Sequence, residues 1–85
     1  MQIIAMGRTW TRIDADTFAT ETGAEVSRQD VADERRTITW ANREIAKWAP
    51  AALAGDQDAA ACYNDAMEQL EGAMWGVELH AALWG

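Results

Sequence analysis

The chain is 85 residues long, 49% of them apolar, and carries a formal net charge of −7 at pH 7. Its single cysteine excludes an intramolecular disulfide and a cysteine-built zinc cluster. The acidic balance argues against direct binding to nucleic acid or to an anionic membrane, because that affinity comes from lysine and arginine meeting phosphate.

This length makes one domain, residues 1–85, with little core to spare. Eighteen of the apolar residues are alanine, so larger side chains must supply most of the buried area. Those are Trp10, Trp40, Trp48, Trp75 and Trp84, with Phe18 and Tyr63. A buried aromatic removes about 150–250 Å² from water, and an exposed tryptophan serves instead as a binding anchor. The run "IIAM" is too short and lacks a basic lead-in, so neither a signal peptide nor a membrane span is expected. The expectation is a cytoplasmic, soluble protein.

In chain order, "QIIAM" and "TWTRI" read as strands, with "DAD" as a turn after them. "TFATE" and "AEVSR" read as a hairpin joined at Thr22-Gly23. Residues 37–48 admit two readings. As strands, "TITWA" and "EIAKW" would form a third hairpin joined at Asn42-Arg43, favoured by the β-branched run. As a helix over about 28–49, "SRQD" offers a capping box from Ser27 and Asp30. Val31, Ile38, Ala41, Ile45 and Trp48 then share one face at heptad-like spacing. The fold expected is α+β: a small antiparallel sheet or meander over residues ~2–48 packed on an amphipathic C-terminal helix. A mostly α chain with a helix at ~28–49 is the alternative.

"APAALAGDQD" breaks the chain, with Pro50 and Gly55 as punctuation and Asp56 or Asp58 as a helix cap. Beyond it the period is helical over about 57–80. Ala59, Cys62, Tyr63, Ala66, Met67, Leu70, Ala73, Met74 and Val77 fall on one arc. Asp58, Asp65, Glu68, Glu71 and Glu78 fall on the opposite arc. Gly72 and Gly76 project to the polar side, which suggests a bend, an end or a close approach there.

Charge is divided unevenly between the halves. Residues 1–47 hold eight acids and seven bases, whereas residues 48–85 hold six acids and no base. Folding does not ask for that, since like charges at i,i+3 repel and no i,i+4 ion pair is gained. A solvated face explains it, as acids aid solubility. A surface for a basic partner explains it too, the negative field steering association. Partner binding is therefore expected at Asp58, Asp65, Glu68, Glu71 and Glu78, with Asp56 at the helix start. The partner would be a nucleic-acid-binding protein or complex whose basic surface is occluded. In size, acidity and single-domain organisation the chain resembles phage and mobile-element inhibitors such as anti-CRISPR proteins. That resemblance is one of composition and carries over no family residues.

The rival expectation is an assembly subunit that dimerises or docks through "AMWGVELHAALWG", with Met74, Trp75 and Trp84 as the apolar interface. No enzyme, cofactor or metal is expected. Ser27, Cys62 and His80 lack the spacing of a nucleophilic triad, and Cys62 reads as a buried structural thiol. Asp56-x-Asp58 is not continued by calcium ligands. A helix-turn-helix over residues 17–31 fails at Gln29, where an aliphatic residue is required.

Overall fold

Alternation of apolar and polar side chains between turn formers makes four short strands of the first 27 residues. The structure, a computed structural model, describes Met1 to Gly85. Strands β1 (Gln2–Ala5), β2 (Arg8–Asp14), β3 (Thr17–Thr20) and β4 (Glu25–Ser27) form an antiparallel meander in sequential order. Helices α1 (Asp30–Leu53) and α2 (Gln57–Trp84) follow. The α+β architecture with a C-terminal helix is thus the one the sequence predicts.

Each turn has its own chemistry. Met6 and Gly7 join β1 to β2 with φ of 53° and 75°, the positive pair that a two-residue type I′ hairpin needs. Asp14 Oδ1 accepts from the Asp16 amide at 2.9 Å and closes the β2–β3 corner. Gly23, at φ 88°, turns β3 into β4. Inward-facing Ala5, Trp10, Phe18 and Val26 meet Leu79 and Leu83 from the last turns of α2, and these six form the core.

The sheet ends at Ser27, and the third hairpin expected at residues 37–48 does not form. That segment is the middle of α1, as in the alternative reading of a helix at ~28–49. Val31, Ile38, Ala41, Ile45 and Trp48 are all buried or half-buried there, so heptad spacing outweighs β-branching. Thr37 and Thr39 are accommodated because their hydroxyls donate to the carbonyls of Asp33 and Arg35, at 3.1 and 3.2 Å. The capping box is half-made: Asp30 Oδ2 accepts from the Ser27 amide at 3.0 Å, while the Ser27 hydroxyl turns to the Gln29 side chain.

A three-residue link reverses the chain. The Gly55 amide donates to Ala52 O and the Asp56 amide to Ala51 O, with Gly55 at φ 99°. This pair of bonds is the Schellman closure of α1. Asp56 then caps α2, its Oδ1 accepting from Asp58 and Ala59 amides at 3.0 and 3.1 Å. Losing such a cap costs about 1 kcal/mol. Helix α2 runs unbroken through Gly72 and Gly76 to Trp84.

The two helices form a shaft that outruns the sheet. Radius of gyration is 16.2 Å, with extents of 51 × 21 × 16 Å, against about 12 Å for a compact chain of this length. The head comprises the sheet and the end of α2. Along the shaft, the residues buried between α1 and α2 include Ala41, Ala59, Ala66 and Ala73.

Candidate functional site

The capped start of α2 and its heptad contact with α1 fix which way the carboxylates point. Asp58, Asp65, Glu68, Glu71 and Glu78 are all exposed, spread from the edge of the inter-helix groove at Asp65 around the outer side of α2. From Asp58 to Glu78 they rise about 30 Å along the axis. No base pairs with any of them: the molecule's ion pair joins Arg36 to Asp33 within α1. Asp56 is also exposed, but one of its oxygens is engaged in capping.

The bases of the shaft lie on the other helix. Arg35, Arg36 and Arg43 surround Trp40, which is 42% exposed. Across the groove between the helices, Arg36, Thr37 and Trp40 face Asp65 and Gln69 without forming an ion pair. The hairpin therefore sets an acidic helix beside one of mixed charge that carries all the bases of the shaft.

A cleft of about 610 Å³ opens between the sheet and one side of the hairpin. Arg8, Trp10, Glu25, Asp30, Asp33, Glu34, Trp75 and His80 are among its lining residues. Glu34 lies against Gly76, where an added Cβ would stand 2.8 Å from the Glu34 carboxyl carbon. The close approach expected at a glycine is thus found, though Gly76 is buried rather than on the polar side. His80 is also buried, with Nδ1 2.8 Å from Gly76 O and Nε2 2.8 Å from Ser27 O. Each ring nitrogen thus lies on a backbone carbonyl oxygen, one from its own helix and one from the end of β4. These contacts lock α2 to the β4–α1 junction. No group of three or more His, Cys, Asp or Glu side chains is placed to hold a metal ion.

The residues of the expected apolar interface are separated. Trp84 stacks edge-on to Phe18 at 5.1 Å and donates to Ala15 O at 3.3 Å, so it belongs to the head. Trp75, 46% exposed, lines the cleft, while Met74, 51% exposed, does not. Cys62 is exposed, not buried, because contact with one neighbouring helix covers a narrower arc than a full core does. Sequence reasoning missed the grouping of Trp40 with Arg35, Arg36 and Arg43. It set Ile38, Ile45, Tyr63, Met67 and Leu70 on the apolar faces of their helices but missed that they stay half-buried on one flank. A heptad register drawn through both helices marks that flank.

No helix is long and apolar enough to cross a membrane. Compared with known proteins, the chain matches no family model, no curated protein and no solved structure.

Proposed function

We propose that this is a non-enzymatic binding protein whose acidic α2 face docks on the basic surface of a nucleic-acid-handling partner. It inhibits by occlusion, in the manner of phage and mobile-element inhibitors such as anti-CRISPR proteins. The observation that carries this reading is the set of exposed, unpaired carboxylates on a helix with no base of its own. Asp65, Glu68 and Glu71 rise about 4.5 Å from one to the next along the axis, comparable with the roughly 3.4 Å of axial rise per phosphate along one strand of a DNA duplex. The face therefore suits a groove built to hold DNA or RNA. Asp58 and Glu78 extend the same field toward the two ends of the shaft, and Asp56 adds to it at the tip.

The test is competition. In pull-downs from the native host, docking should weaken steeply as salt rises. Replacing Asp65 and Glu68 together by lysine should abolish capture while leaving the thermal midpoint nearly unchanged. Capture undiminished in that variant removes the reading.

A further inference from the structure

We infer that the uncovered side of the hairpin is closed by a second copy of this chain, giving a two-fold four-helix bundle. The two sides of the shaft differ. One carries the sheet and the cleft, where Asp33 and Glu34 face Gly72 and Gly76. On the other, Val31 and Arg35 meet Val77 and Ala81 near the head, and Ala52 meets Ala60 and Tyr63 near the tip. Heptad spacing joins these ends through Ile38 and Ile45 on α1 and through Met67 and Leu70 on α2. Between Ala60 and Val77 this stripe of α2 has no charged residue.

The side stays open for a physical reason. Alanines occupy the seam, so the two helices spend their contact on small side chains. The larger residues are pushed to the flank and left half-buried. A second layer of helices would cover them. The 24 residues of α1 span about 36 Å. With two helices side by side the face measures about 700 Å² per copy, so the pair would bury about 1,400 Å², within the range of stable specific interfaces.

Charge selects the occupant and its orientation. The α1 edge of this face carries Arg35, and the α2 edge carries Glu71 and Glu78. Arg35 groups with Val77, which sets it level with that pair of carboxylates. A two-fold axis running along the shaft lays α1 over the partner's α2, bringing each Arg35 toward Glu71 and Glu78 of the other copy. An axis across the shaft would stack arginine edge on arginine edge. A surface complementary to itself fits a second copy of the same chain. The inference shares Glu71 and Glu78 with the docking reading, but Asp58, Asp65 and Glu68 stay outside the bundle. Loss of docking by the Asp65 and Glu68 replacements and loss of the dimer are therefore read separately.

Light scattering of the purified chain at high micromolar concentration should give twice its 9.4 kDa, and high salt should not halve it. Ile45→Lys combined with Met67→Glu should return the mass to that of one chain with far-ultraviolet circular dichroism retained. Arg35→Glu alone, or Glu71→Arg with Glu78→Arg, should raise the dissociation constant at least tenfold. Combining all three should restore it. These three side chains are exposed, so this arm decides even if the core-facing double variant unfolds. A single-chain mass for the native protein overturns the inference and leaves the face to another partner. A dimer untouched by Ile45→Lys with Met67→Glu, or not rescued by the triple charge exchange, overturns it equally.

Discussion

Head and shaft are built on opposite principles. In the head, Trp10, Phe18, Leu79 and Leu83 are enclosed, while Ile4 and Ile13 lie on the exposed side of the sheet. Indole N–H groups there are engaged: Trp10 donates to Ala5 O at 3.1 Å, and the half-buried Trp84 to Ala15 O. Phe18 is the largest side chain with no exposure at all. In the shaft the enclosed residues are alanines, while isoleucine, leucine, methionine and tyrosine are shared with solvent. Trp48 rests along the shaft with Lys47 Nζ 4.8 Å from its ring centre and its indole N–H on Glu44 at 2.6 Å. The difference teaches that stability and interaction surface are kept apart here. Burial concentrated at one end leaves the long helices free to present chemistry.

The sharpest way to break that contrast is Phe18→Ala. Emptying the one large enclosed site should cost about 3–5 kcal/mol, a large part of a marginal domain's stability. Urea denaturation measures it, and a loss below about 1 kcal/mol, typical of an ordinary substitution, would mean the head does not hold the fold. Ala66→Leu asks the reverse question of the shaft. Overpacking the seam should cost about 1–3 kcal/mol, read in the same titration. An unchanged midpoint would show that the helices have room between them. The finest comparison is between two glycines of one helix. Gly72→Ala meets open space and should gain about 1 kcal/mol from helix propensity. Gly76→Ala should gain less, because Glu34 must move aside. Equal gains would mean that the Glu34 contact does not constrain α2.

Much of this was legible from local pattern. The first four strands follow from turn chemistry at Met6-Gly7, Asp14 to Asp16 and Gly23, each acting within a few residues. Asp56 could be read as a cap because its partners are two and three residues on. The outward carboxylates followed from the helical period alone. Residues 37–48 were harder, since β-branching argues for strand and heptad spacing for helix. What settles them is the packing of Ile38, Ala41 and Ile45 along α2, which no window around them contains. The cleft was invisible for the same reason: Glu34 and Gly76 lie 42 positions apart, and His80 reaches Ser27 across 53.

By itself, then, the sequence determined where backbone reverses, which stretch of it coils, and where negative charge gathers, because these depend on neighbours within a turn or two. Tertiary structure alone decided that the middle of the chain is helical, that Trp10 is enclosed while Trp40 and Trp75 are not, and that one side of the shaft is left apolar. Those outcomes depend on which surfaces meet. An amphipathic stripe states that something must cover it, and only the folded chain shows how much of that cover it supplies.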